Sequence, residues 1–255
     1  MTAPPTSGGD VRTGDARALV LWDIDRTLVY VGEVDRTAYR EAFAEVVGRP
    51  AERLPAKGTG VTMPLAIRGL LADNGVPGHE AEQLLPRMLA AVPVRFAAHT
   101  DDVRRLGTVL PGAMGALEAV AAEPDLVTTV LTGNLEENAR IKLGVFGMDQ
   151  YVDAAVGGYS SDDAHRPALV AVAQRRAGDK YASTFHKGNT VIVGDSLEDV
   201  RTGLEGGARV VAVASGTTPA DRLAEAGADV VLPDLTDSGR LIQEIRVLTD
   251  TAGPA

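Results

Sequence analysis

Five short apolar runs constrain the fold most. They are "ALVLWDI" at 18–24, "LVTTVLT" at 126–132, "TVIVGD" at 190–195, "RVVAVAS" at 209–215 and the shorter "ADVVLP" at 228–233. All are rich in Val, Leu and Ile, and none clearly alternates apolar with polar residues. A strand with one wet face alternates, whereas a strand covered on both faces does not, and that is the pattern of a parallel sheet. Helical patterns lie between the runs, at 111–123, 135–146, 166–178, 197–207 and 219–227. Strand–helix alternation implies right-handed βαβ units, hence an α/β fold with a doubly wound, mostly parallel, Rossmann-like sheet.

Residues 33–108 interrupt the alternation. "EVDRTAYREAFAEVVG", "TMPLAIRGLLADNG" and "GHEAEQLLPRMLAAVPVRFAAHT" are helical in period with no strand between them. The expected organisation is an α/β core from 17–32 and 109–250, an all-helical domain inserted at 33–108, and hinges near Tyr30–Glu33 and Gly107–Pro111. Residues 1–16, rich in Pro, Gly, Ser and Thr, read as a disordered tail rather than a signal peptide. No apolar run is long enough to span a bilayer. The chain has no cysteine, which excludes disulfides, a thiol nucleophile and thiolate metal sites, and points to the cytoplasm. A net charge of −10 speaks against a nucleic-acid partner.

Ligands of open α/β sheets bind beyond the carboxyl ends of the strands. The first run ends Asp23-Ile24-Asp25-Arg26-Thr27, the second Thr132-Gly133-Asn134, and the third Gly194-Asp195-Ser196, with Asp199 four residues after Asp195. Carboxylates gathered at one point repel each other unless a cation neutralises them, and Mg²⁺ does so through oxygen ligands. Such a metal also binds phosphate oxygens. The Thr-Gly-Asn turn before a helix offers a hydroxyl and backbone N–H groups to an anion. One carboxylate can attack phosphorus while a second protonates the leaving oxygen.

The order "LWDIDRT", "VLTGN", "VIVGDSLED" resembles the haloacid dehalogenase (HAD) superfamily of phosphatases, over about residues 18–232. The resemblance is to phosphoglycolate-phosphatase-like members whose helical cap is inserted after the first motif. It implies Asp23 as nucleophile, and Asp25 as general acid/base whose backbone carbonyl contributes to Mg²⁺. It implies Thr132, with the N–H groups of Gly133 and Asn134, holding the phosphoryl group. Asp195 would bind the metal, and Asp199 the metal or its waters. The family's basic residue, usually Lys, corresponds best to Arg166 in "DDAHRPALV"; Lys187 lies too close to the third strand. Arg26 stands where the family usually has Gly and is placed to touch substrate or to pair with a cap carboxylate.

Each residue also has an ordinary structural role open to it. Asp23 and Asp25 fit a turn, Thr132 a helix cap, Asp199 a helix dipole, and Arg166 the start of a surface helix. His165 reads as structural or exposed, and Ser196 as a possible site residue. In the inserted domain, the loop 56–64 is either a linker or a segment reaching the mouth, and the first turn of the helix "EVDRTAYREAF" after the hinge, with Tyr30 and Glu33, is placed to face the site. Asp25 favours phosphoryl chemistry over dehalogenation. The expected activity is Mg²⁺-dependent hydrolysis of a small phosphomonoester through an aspartyl-phosphate, by a monomer or homodimer. The rivals are a phosphomutase, a phosphonate hydrolase using Lys57 as a Schiff base, and a non-catalytic phosphometabolite-binding protein.

Overall fold

The computed structural model describes residues 18–55 and 60–249. The expected tail at 1–16, Lys57 and part of the 56–64 loop therefore lie outside the described residues. A six-stranded parallel sheet forms the centre. Its strands are β1 (Ala18–Trp22), β4 (Leu126–Thr132), β5 (Gly158–Tyr159), β6 (Thr190–Gly194), β7 (Arg209–Val213) and β8 (Val230–Leu232). Their spatial order is β5-β4-β1-β6-β7-β8. The first described strand, β1, lies in the middle of the sheet and later strands are added on both sides of it, so a crevice opens at the carboxyl end of β1.

Along β1, Ala18, Val20 and Trp22 join one hydrophobic cluster, and Leu19 and Leu21 join another on the opposite face. Every residue of the strand is buried, which explains the missing alternation. The first cluster includes residues of α5 (Ala113–Ala121) and α10 (Ser238–Leu248). The second is closed by Leu169, Val170, Ala173 and Ala177 of α7 (Ala168–Tyr181). Helix α6 (Glu136–Val145) follows β4, α8 (Leu197–Gly206) follows β6, and α9 (Ala220–Glu225) follows β7.

Between β1 and β4 lies a helical segment, α1 (Gly32–Val47), α2 (Met63–Asp73), α3 (Gly78–Ala98) and α4 (Thr100–Leu106). It leaves and rejoins the sheet through the antiparallel pair β2 (Val29–Tyr30) and β3 (Thr108–Val109). A hydrophobic cluster of its own joins Val34, Ala38 and Phe43 to Ile67, Met88 and Phe96. Leu135, at the start of α6, belongs to this cluster too and ties the segment to the sheet.

Sheet register sets the site. Trp22 pairs with Val130 on one side and Val193 on the other. Asp23, Thr132 and Asp195 follow one or two residues later, at the same edge. β5, the β2–β3 pair and α10 go beyond the sequence reading; two-residue strands are too short to carry a period.

Gly112 precedes α5 with φ +77°, and a Cβ there would lie 2.1 Å from the Leu235 carbonyl carbon. Gly112→Ala is expected to lower stability by more than the ~1–2 kcal/mol of a left-handed L-residue, because backbone must also move. Urea unfolding followed by the single tryptophan, the fully buried Trp22, measures this.

Candidate active site

Beyond β1 the chain turns tightly. The N–H groups of Leu28 and Val29 both bond the Ile24 carbonyl, and the Arg26 N–H bonds the Val29 carbonyl. This turn puts Asp23 and Thr27 side by side. The Thr27 hydroxyl lies 3.3 Å from Asp23 Oδ2 and 3.2 Å from Asp195 Oδ1, so its single proton serves one carboxylate at a time.

Asp199 arrives from α8. Ser196 caps that helix, and Asp199 Oδ2 accepts from the Ser196 N–H at 2.9 Å and its hydroxyl at 2.6 Å. Its other oxygen accepts from Arg166. The carboxylate that caps this helix thus also stands beside Arg166. Asp23, Asp195 and Asp199 each bring an oxygen within 4.8 Å of the others, and all three are buried.

Arg166, 2% exposed, sits just before α7. One of its nitrogens donates to Asp23 Oδ1 at 2.7 Å and also to Asp199, while another bonds the Gly60 carbonyl. Thr62 Oγ1 donates to the Ala164 carbonyl and the Met63 N–H to the Gly133 carbonyl, at 2.7 and 2.8 Å. The described end of the 56–64 loop thus rests on the mouth of the sheet. A Cβ on Gly133 would lie 2.5 Å from the Val61 carbonyl oxygen, so glycine permits this contact.

Burial, with repulsion from Asp199 and against the pull of Arg166, holds the Asp23 carboxyl well above the usual carboxylate range. Burial and Asp199 push Asp195 up to about 7, although Thr27, Arg166 and Arg26 oppose them. Burial alone would lower Arg166, but Asp199 and Asp23 outweigh it and keep the guanidinium charged. When ionised, three buried carboxylates facing one guanidinium carry a surplus of two negative charges. An all-oxygen donor set with that surplus fits a hard divalent cation.

Asp25 lies in a second cluster. Lys142 Nζ, on α6, donates to Asp25 Oδ1 at 2.7 Å and Oδ2 at 3.0 Å, to Asp35 Oδ2 at 3.0 Å, and to Asn134 Oδ1 at 2.9 Å. Asn134 Nδ2 lies 2.7 Å from Asp25 Oδ2 and 2.8 Å from Thr132 Oγ1. The Asn134 N–H, expected to face an anion, instead bonds the Thr132 hydroxyl at 3.2 Å. Burial lowers the Lys142 ammonium, but Asp25 and Asp35 outweigh it and keep it charged. Burial raises Asp35 to about 6, against the attraction of Lys142 and with repulsion from Asp25.

A cavity of about 130 Å³ opens between these clusters and the inserted helices. Asp23, Asp25, Thr132, Gly133, Asn134, Arg166 and Asp195 line its sheet side, and Asp35, Arg36 and Tyr39 of α1 its far side. Arg26 lines it too, in the left-handed region at φ 68°, its guanidinium 4.5 Å above the Tyr30 ring. Its buried Nε has no hydrogen-bond partner. His165 is exposed, and Lys187 lies in a short turn before β6.

A model of HAD-hydrolase-like proteins matches residues 164–238, under a third of the chain. No curated protein matches the sequence. Solved structures match over nearly its whole length. A hydrolase from Pseudomonas syringae is 21% identical, with 89% of this chain and 99% of that one covered and a TM-score of 0.62. A "predicted phosphatase" from Clostridium acetobutylicum is 17% identical over 90% and 99%, with a TM-score of 0.65. A HAD family hydrolase from Deinococcus radiodurans with bound phosphate and sodium is 20% identical over 94% and 99%, with a TM-score of 0.52. The chain has the fold of the HAD-like hydrolases. The sheet carries Asp23 and Asp195 at the ends of β1 and β6, with Thr132 at the end of β4 between them and β5. Among the described residues no helix is long and apolar enough to cross a membrane.

Lys142 escapes the sequence reading, and Asp35 falls in the first helical turn expected to face the site without being singled out there. The available signal is positional: Lys142 falls on the α6 stripe shared by Leu135, Ala139 and Leu143, and a lysine there requires an acid partner.

The raised Asp195 carboxyl links stability to pH. Unfolded, it ionises near 3.8; folded, at about 7. Between these values the folded chain keeps a proton the unfolded chain has lost, so rising pH favours unfolding until both forms are ionised above about 7. A divalent cation removes that penalty. It is therefore expected to raise Tm more at about pH 8 than at about pH 5, and Asp195→Asn is expected to blunt the effect. Differential scanning calorimetry with and without the cation checks both.

Proposed function

We propose that this HAD-like chain is a Mg²⁺-dependent phosphatase acting on a small phosphomonoester through an aspartyl-phosphate. The observation that carries the reading is the separation of the acids into two clusters. Asp23 lies with Asp195, Asp199 and Arg166, while Asp25 faces the same cavity from a different set of partners.

Asp23 attacks phosphorus through a carboxylate oxygen. The bond from phosphorus to the ester oxygen breaks, its electron pair stays on that oxygen, and the oxygen takes the Asp25 proton. Water then attacks the phosphoryl group and gives a proton to Asp25. The bond to Asp23 breaks and returns the carboxylate, releasing inorganic phosphate. Thr132 and the Gly133 N–H hold the phosphoryl oxygens, and Arg166 draws negative charge off them. Asp23, Asp195, Asp199 and the Asp25 backbone carbonyl would hold the Mg²⁺. When bound, the metal supplies Lewis-acid stabilisation of the phosphoryl charge.

The helices at 33–108 act as a cap in this reading. Cavity size supports a small substrate, since a cavity of ~150 Å³ holds about a benzene. Arg26 supports a substrate with a second anionic group. Its left-handed backbone costs about 1–2 kcal/mol that glycine would avoid, and its guanidinium lies at the cavity wall beside Tyr30.

A panel of phosphomonoesters assayed with Mg²⁺ tests the activity. Asp23→Asn is expected to lower turnover by more than about 10³-fold; unchanged phosphate release in that variant would falsify the mechanism. Arg26→Gly is expected to raise KM by about 10-fold or more for substrates bearing a carboxylate, from loss of a charge-assisted hydrogen bond. Tm should not fall, because glycine relieves the positive φ. A lower Tm with unchanged KM would assign Arg26 to packing alone.

A further inference from the structure

Lys142 is 0% exposed and satisfies three partners drawn from different parts of the chain. Asp25 follows β1, Asn134 follows β4, and Asp35 belongs to α1 of the inserted helices. The Phe96 ring of α3 covers the ammonium at 5.5 Å. Among the described residues, this group spans the sheet and the insertion at the reacting end of the cavity. Asp25 itself has a side chain 36% exposed toward that cavity. Its two oxygens are anchored from behind by Lys142, and Oδ2 also by Asn134.

We propose that Lys142 is a positioning residue that aims the Asp25 carboxyl at the leaving oxygen and makes this aim depend on the inserted helices through Asp35. The inference rests on the phosphatase reading. Asp35 supplies the second carboxylate that keeps Lys142 between sheet and insertion. When α1 is seated, the ammonium is fixed at three corners and so is Asp25. When α1 withdraws, Asp35 leaves with it and Asp25 loses its fixed aim. The acid is thereby placed only when the cavity is covered.

The test compares two substrates in the full-length protein with Mg²⁺. A simple alkyl phosphate needs a proton on its leaving oxygen; 4-nitrophenyl phosphate does not. kcat/KM reports events up to loss of the leaving group. In Lys142→Met it is expected to fall about 10²-fold for the alkyl ester, as for a misplaced acid, and under about threefold for the nitrophenyl ester. kcat should fall for both, because the same carboxylate activates the attacking water. Inhibition by inorganic phosphate should keep its constant, since Thr132 and Arg166 are untouched. Asp35→Asn, which keeps the size of the side chain, is expected to show the same substrate bias, weaker. It carries the test if Lys142→Met does not fold. Equal losses of kcat/KM on both substrates, or no loss of kcat/KM in either variant, would overturn the inference. A wild-type chain that releases phosphate from neither substrate would overturn the phosphatase reading and this inference together.

Discussion

The structure depends on how acids are made tolerable at the end of a buried strand. Leaving water costs a carboxylate several kcal/mol unless a partner repays it. The parallel sheet makes the problem unavoidable, because β4, β1 and β6 all open at one edge, and the last two deliver Asp23 and Asp195 there. Arg166 answers part of it. Its guanidinium reaches Asp23 and Asp199 at once and closes on the Gly60 carbonyl of the insertion. A guanidinium suits this place because it cannot lose its proton and its fork presents several donors in fixed directions.

Two buried cations divide the acids into two groups. Arg166 stays with the carboxylates that would face phosphorus and metal, and Lys142 with the one that would handle the proton. Had a single cation served both, Asp23 and Asp25 would have shared one environment. Separate environments let two carboxylates two residues apart do different chemistry, the general condition for pairing a nucleophile with an acid. The turn after Ile24 produces the separation: it sends Asp23 toward β6 and Asp25 toward β4, with Thr27 returning beside Asp23.

How much of this the sequence discloses follows from how each residue signals its environment. The five sheet runs are legible because burial on both faces, complete in β1 and β6 and nearly so in β4 and β7, leaves a composition that little else produces. The fully buried β1 and the adjacent Asp23 illustrate it. Arg166 is legible through its place before a helix, and the structure sets it against Asp23 and Asp199. β5 is not legible, since Gly158 and Tyr159 pair with β4 over two residues only. Lys142 is hidden for a different reason. Lysine's usual place is the surface, and its burial is set by Asp25 and Asp35, 117 and 107 residues away in the chain. The Asn134 side chain is hidden likewise, because sequence reads the turn as backbone donors while the fold spends the amide on Asp25 and Thr132.

Arg26 is where local preference and the fold disagree most openly. A tight turn after a strand favours glycine at positive φ, and the chain places there a long cation with an unpartnered buried Nε. Packing alone gives a weak account, since stacking on Tyr30 returns roughly what the backbone strain costs. The position supplies the stronger one. The Arg26 backbone is held on both sides, by the Val29 carbonyl and by the Ser215 hydroxyl, which donates to its carbonyl oxygen. The guanidinium therefore leaves a fixed base and reaches the cavity beside Asp195, whose carboxyl it helps to lower. A cation so anchored adds positive potential to a mouth otherwise dominated by acids. The overall charge of −10 thus says little about what this mouth attracts, because the local field is set by the balance of Asp23, Asp25, Asp35 and Asp195 against Arg26, Arg36 and Arg166 at its wall.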